Sequence, residues 1–300
     1  MNLLRIYPRV YHVFLSQNTV GMSQNTGYTA CMSIFVAVVL GFVQGLTEFL
    51  PVSSTGHLIL ARAVFGIENI HGLAFDAVLQ LASVGAVLVY FFPDVWMLTQ
   101  TALRKLGRLP VNKKDEVLLY ALLIGTIPAL VGGLLLESLM QTAFRSPVLV
   151  AIVLLLGSVF FMFAEYMYHN KPRTHEMNIT TGLKIGLFQV LALVPGMSRS
   201  GATICGGMLL GLTRSEAARF AFLLSIPIIL GGGLKKLLEL IVSHEAIEWT
   251  PLLIGTAVSF VTSLIAIRFL LSYVRSHTLW PFIWYRIILA SFVLFVVFFG

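Results

Sequence analysis

Charge is what this chain has least of. Asp, Glu, Lys and Arg make up 11% of its 300 residues, where a soluble domain carries about 25%. With 58% hydrophobic residues and a mean hydropathy of +0.91, an ordinary water-soluble fold is excluded. Cysteine is nearly absent. Cys31 and Cys205 have no C-x-x-C spacing and no histidine cluster beside them, so both are read as inert thiols. The apolar stretches do not alternate with polar residues, which argues against a closed β-barrel. The net charge of +7 does not point to nucleic acid. Lys and Arg lie mainly in short connecting stretches, where they orient a protein in a membrane and suit an anionic head group.

What the chain does have is apolar runs of about twenty residues, each long enough to cross a hydrocarbon core about 30 Å thick. The expected fold is an all-α polytopic membrane protein. Six spans are expected at 73–92, 118–136, 147–167, 217–234, 250–271 and 281–299. The stretch 93–117 carries Arg104, Lys105, Arg108, Lys113 and Lys114 and is placed in the cytoplasm as a loop. The stretches 168–179 and 272–280 fall on the same side. Both termini are then outside. Residues 1–31 hold no run long enough to span and lack the apolar core of a secretory signal peptide. They are expected to be an interfacial segment or a leader ahead of a true start at Met32. Residues 32–300 are expected to form one membrane domain.

Two segments are left over, about 33–66 and 180–211. Each is an apolar half-helix, a break and a second half-helix. The breaks are LPVSSTGH and VPGMSRSGAT. Pro51 and Pro195 cannot continue a hydrogen-bonded helix, and Gly56 and Gly201 are expected to permit a sharp turn. Broken backbone at membrane depth must be buried in protein or line a watery cavity, so both segments are read as re-entrant hairpins. At a fixed offset of 145 residues, Gly41 falls on Gly186, Gln44 on Gln189, Ser53 on Ser198, Thr55 on Ser200 and Gly56 on Gly201. A gapless match with its polar residues in register predicts an internal repeat. Repeat 1 would be about 33–167 and repeat 2 about 180–299. Three spans separate the hairpins, so the second copy is inverted and the tips meet near the midplane.

The tips then share a carboxylate (Glu48), an imidazole (His57), a guanidinium (Arg199) and several hydroxyls. A guanidinium at membrane depth costs several kcal/mol without a partner. Arg199 is read either as a phosphate clamp or as a structural partner of Glu48. Ser198, Ser200 and Thr203 add hydroxyls at a helix start aimed at the same anion. Gln44 and Glu48 are four apart and share one helix face. Glu48 beside a phosphate makes sense if it holds a divalent cation or acts as a base. His57 is a nucleophile, a general acid or a satisfied polar residue, and Ser54 is a nucleophile if a base activates it. Asp76, Arg219 and Arg286 lie within or near spans, where helix-end snorkelling or ion pairing is the expected account.

At these residues the sequence closely resembles the undecaprenyl-diphosphate phosphatase family, the bacitracin-resistance membrane proteins. The carrying motifs are QGLTEFLPVSSTGH at 44–57 and PGMSRSGAT at 195–203. The resemblance covers about residues 33–299. It implies hydrolysis of undecaprenyl diphosphate to the monophosphate with a divalent cation, Mg2+ or Ca2+, which recycles a lipid carrier for the cell wall. It also implies bacitracin resistance and a place in the bacterial inner membrane. Gln44 and Glu48 match the family's acidic motif, with Gln44 the weaker metal ligand because Glu is frequent there. Ser54 and His57 match its nucleophile and acid. Ser198, Arg199 and Thr203 match its phosphate contacts, and Ser53 and Ser200 join them by position.

The leading expectation is therefore a polyprenyl diphosphate phosphatase whose site faces the periplasm, with membrane lipids around it and a homodimer left open. The rival is a lipid or small-anion transporter or flippase, because inverted repeats with broken helices are typical of transporters. A nucleophile at the tips discriminates the two.

Overall fold

A computed structural model describes residues 33–65, 72–136, 146–169, 177–242 and 248–299. The expectation for the leader 1–31 lies outside them. Among the described residues the secondary structure is eleven helices: α1 Ile34–Phe49, α2 Ser54–Phe65, α3 Gly72–Tyr90, α4 Phe92–Leu106, α5 Lys113–Leu135, α6 Pro147–His169, α7 Ile179–Leu191, α8 Arg199–Leu209, α9 Arg214–Val242, α10 Trp249–Tyr273 and α11 Trp280–Phe299.

Five of these, α5, α6, α9, α10 and α11, are long and apolar enough to cross a membrane, and a sixth candidate is the pair α3 and α4 taken together. They coincide with five of the six expected spans. The sixth falls on α3, and the stretch that follows it needs correction. The expected span ends at Tyr90, where the chain turns by 84° into α4. The expected cytoplasmic loop 93–117 is therefore helical through Leu106. Pro93 sits in the first turn of α4, where its missing N–H costs nothing. Asp94 lies in that turn and Arg104 and Lys105 in the last, each complementing the helix dipole. Phe92, Trp96, Leu103 and Leu106 form an exposed stripe along this helix.

The broken segments are where they were expected. At 16 and 12 residues, α1 and α2 reach about 24 and 18 Å at 1.5 Å per residue, short of a hydrocarbon core of about 30 Å. The second pair, α7 and α8, is shorter still, at 13 and 11 residues.

Small residues let these short helices approach the long ones. Gly41 of α1 lies so close to Gly255 of α10 that an added Cβ would come within 2.3 Å of the Gly255 carbonyl oxygen. Gly186 of α7 meets Gly125 of α5 in the same way, at 2.1 Å. Lipid tails are as apolar as side chains, so membrane helices associate through such close packing and interhelical hydrogen bonds. Ser83, Ser259 and Ser263 supply the bonds between α3, α10 and α1. Ser259 Oγ donates to Leu79 O at 2.9 Å, Ser263 Oγ to Ser83 Oγ at 3.0 Å and to Gly45 O at 3.4 Å. Further along the bundle, Arg214 donates twice to the buried Glu165, at 3.0 and 2.5 Å, and Leu279 N–H donates to the same carboxylate at 2.7 Å. That node ties α6, α9 and the start of α11.

Candidate functional site

The first tip forms where α1 ends. Gln44 and Glu48, one turn apart, are both buried, and Gln44 Nε2 donates to Glu48 Oε2 at 2.8 Å. Pro51 ends the helix. Val52 N–H then donates to Leu50 O at 2.7 Å in a tight turn. Ser53 follows with φ 76°, and its Oγ caps α2 by accepting from Gly56 N–H at 3.4 Å. Ser54 is the first residue of α2. Its hydroxyl points back and donates to Glu48 Oε2 at 2.6 Å.

The second tip repeats this geometry. Gly196 and Ser198 have φ 102° and 75°. Ser198 Oγ caps α8 by accepting from Gly201 N–H at 3.2 Å. The expected turn-forming roles of Gly56 and Gly201 need correction, because both lie inside helices. An added Cβ would come within 3.0 Å of Val150 Cγ1 at Gly56 and within 2.1 Å of the Phe161 ring at Gly201. Close packing requires glycine at 201 and is tight at 56, and the left-handed backbone falls on Ser53 and Ser198 instead. Such strain costs on the order of 1–3 kcal/mol per residue.

The tips meet. Gly196 N–H donates to Ser53 Oγ at 3.1 Å, Ser200 Oγ to Leu50 O at 3.0 Å and Arg199 Nη2 to Glu48 Oε1 at 2.8 Å. Glu48 therefore accepts from an amide, a hydroxyl and a guanidinium. Two polar atoms beside it are left over. Arg199 Nη1 and Gln44 Oε1 are buried without a hydrogen-bond partner. One is a cationic donor and the other a neutral acceptor, the atoms that a phosphate oxygen and a cation would take up.

Both readings of Arg199 are thus visible. It pairs with Glu48, and it keeps Nη1 free. Thr203 is less engaged with the tips. Its hydroxyl donates to Arg199 O at 2.8 Å within α8. Ser198 and Ser200 hydroxyls lie 3.2 Å apart.

His57 is held at both nitrogens. Nδ1 lies 2.7 Å from Ser53 O and Nε2 lies 2.6 Å from Tyr285 Oη, with the two rings nearly parallel. A carbonyl can only accept, so Nδ1 carries the proton and Nε2 accepts from the tyrosine. Tyr285, on α11, was not legible as a site residue. The only signal was its place beside Arg286.

Arg286 is the larger correction. It neither snorkels nor pairs with a carboxylate: its side chain is fully buried, and its hydrogen bonds go to neutral oxygens. Asp76 and Arg219 do form ion pairs, with Arg62 at 2.5 Å and with Asp94.

Among the described residues no group of three or more His, Cys, Asp or Glu side chains could hold a metal ion. The Glu48 carboxylate and the unpartnered Gln44 Oε1 are the oxygen donors at this node. Mg2+ commonly uses one or two protein ligands and takes the rest from water and phosphate, so this donor set fits a cation that arrives with a diphosphate.

The profile of the family described as "Bacitracin resistance protein BacA" matches residues 37–292. A protein of Chloroherpeton thalassium named undecaprenyl-diphosphatase is 40% identical over 275 residues, 88% of this chain and 96% of that one. One of the same name from Rubrobacter xylanophilus is 42% identical over 265 residues, 87% and 97% of the two chains. Another from Alteromonas mediterranea is 37% identical over 267 residues, 89% of this chain and all of that one. The chain belongs to the bacitracin resistance protein BacA family.

Proposed function

We propose that this protein hydrolyses undecaprenyl diphosphate to undecaprenyl phosphate and phosphate. The carrying observation is the node at Glu48: a serine hydroxyl on one carboxylate oxygen and a guanidinium with a free nitrogen on the other. Glu48 takes the Ser54 proton as general base. Ser54 Oγ attacks the terminal phosphorus, the anhydride P–O bond breaks and undecaprenyl phosphate leaves. Water then attacks the phosphoserine, phosphate departs and Ser54 recovers its proton. Arg199 turns its free nitrogen to the phosphoryl oxygens, whose charge it balances. His57 is less suited than Ser54 to be the nucleophile, because both its nitrogens are occupied and one faces Tyr285.

A divalent cation would sit on Glu48 and Gln44 Oε1. When bound, it would supply Lewis-acid stabilisation of phosphoryl charge. Ser53 and Ser200 hold the tips together, and Ser198 caps α8 within the second tip, so the three keep the node assembled.

The finer architecture is also a proposal. We infer two inverted repeats whose re-entrant hairpins meet at the site. Support comes from the matched caps of Ser53 and Ser198, and from crossed packing in which α1 lies on α10 and α7 on α5. We read the end of α4 as cytoplasmic, a reading its basic residues Arg104 and Lys105 support. The first hairpin then enters from the other face, so the reaction occurs on the periplasmic side of the inner membrane. The transporter reading is not favoured, because the relatives carry a phosphatase name and the tips hold a nucleophile beside a base.

The test is phosphate release by the purified protein from undecaprenyl diphosphate, with and without chelator. Release that stops in Ser54→Ala is expected. No release by well-folded protein rejects the phosphatase reading.

A further inference from the structure

Arg286 lies on α11, more than eighty residues along the chain from either tip. Every guanidinium N–H has a partner. Nε donates to Ser158 Oγ at 3.2 Å, and Nη1 donates to Met197 O at 3.1 Å and to Pro51 O at 3.5 Å. Nη2 donates to Gly196 O at 3.0 Å and to Leu154 O at 3.1 Å. Its carbon lies 4.5 Å from the centre of the Phe161 ring. The pocket is shaped for it, since a Cβ on Gly157 would come within 2.2 Å of Nη2.

Three of the five acceptors are backbone carbonyls of the breaks: Pro51 in the first, Gly196 and Met197 in the second. They lie just before Ser53 and Ser198, the residues in left-handed backbone. A trans peptide points its N–H opposite its C=O. By holding Met197 O, Arg286 fixes the Ser198 amide to face away from it. By holding Pro51 O beside Gly196 O, it sets one break against the other. A fork with five donors in one plane can do this, and a single ammonium cannot. The cost of burying a guanidinium among neutral oxygens at membrane depth calls for a role beyond packing.

We infer that Arg286 is the positioning residue of the reaction. It holds the two breaks in the relation that brings Ser54 and Glu48 of one tip to Arg199 of the other. It does not touch the substrate. The inference rests on the phosphatase reading, which wild-type turnover tests separately.

The experiment compares wild type, Arg286→Lys, Gly157→Ala and Ser158→Ala, purified in detergent, by melting temperature and by kcat and KM for undecaprenyl diphosphate. Glu165→Gln is the control, because it breaks another buried guanidinium node, one whose hydrogen-bond partners are Arg214 and Leu279 N–H rather than the breaks or Arg286. Misplacement of reacting groups by about 1 Å costs roughly 100-fold in rate. Arg286→Lys is therefore expected to lose about that much kcat with KM within about threefold. Gly157→Ala, which pushes the guanidinium out but keeps it in the chain, should follow it. Glu165→Gln should lower the melting temperature and leave kcat near wild type. If Arg286→Lys does not fold, Ser158→Ala carries the test, since it removes one acceptor of five. Its kcat should fall several-fold at unchanged KM. Wild-type kcat in folded Arg286→Lys, or in Ser158→Ala should the lysine variant not fold, overturns the inference. So does an equal kcat loss in Glu165→Gln.

Discussion

Ser53 and Ser198 stand 145 residues apart and adopt the same left-handed backbone, φ 76° and 75°. Each caps the helix that follows, and Ser53 Oγ also accepts from Gly196 N–H of the opposite break. Alanine at either position keeps the strained backbone and loses the hydroxyl, at about 1–2 kcal/mol. Glycine loses the same bonds but relieves the backbone, returning about 1 kcal/mol. We predict that Ser53→Gly melts above Ser53→Ala, and Ser198→Gly above Ser198→Ala. Melting curves in detergent check this, and the reverse ranking would show that the left-handed backbone is not strained.

Ser54 and Glu48 act as one unit in the proposed chemistry. Ser54→Ala should lower kcat by about 1,000-fold or more with little change in substrate binding. Glu48→Gln should be comparably severe and should also blunt the response to added divalent cation. Gln44→Ala should do less, because it brings no charge. Titrating Mg2+ against the three variants decides this. A Gln44 variant worse than the Glu48 variant would remove the cation from Glu48.

Arg199 has one nitrogen on Glu48 and another free. Lysine keeps the charge but cannot serve both partners. Arg199→Lys is expected to lose about 100-fold in kcat/KM. Turnover near wild type in a folded Arg199→Lys protein would leave the guanidinium as a structural partner only.

The glycine contacts predict a sharp contrast in stability. Gly186→Ala forces a Cβ to within 2.1 Å of the Gly125 carbonyl oxygen, while a Cβ at Gly231 meets nothing within 4 Å. The first should cost about 1–3 kcal/mol. The second should be neutral or stabilising by up to about 1 kcal/mol, since alanine is the better helix former. Equal melting temperatures for the two would contradict the close crossing of α7 and α5.

Sidedness is open to labelling in intact cells with a thiol reagent that cannot cross the membrane. Cys31 and Cys205 are replaced first, and single cysteines are placed at Thr55, which is exposed at the first tip, and at Arg108. Labelling of position 55 alone is expected. Labelling of position 108 alone would invert the topology and move the reaction to the cytoplasmic face.

By itself, the sequence determined the membrane class, five of the spans, both breaks and the residues that meet at them. These follow from properties that run along the chain: apolar length, the missing N–H of proline and polar residues too costly to leave in lipid. It misjudged the stretch after Tyr90, because basic residues suggested a loop where Pro93 and Asp94 start a helix. It also assigned the sharp turns to glycines, since chain pattern does not distinguish a left-handed residue from a close packing contact. Only tertiary structure decided that Ser54 and Arg199 share Glu48, that Tyr285 holds His57 and that Arg286 grips both breaks. Apart from the Ser54 bond to Glu48, those contacts join helices far apart in sequence. The partners of Arg286 are mostly backbone carbonyls, which every residue carries and no side-chain pattern can mark.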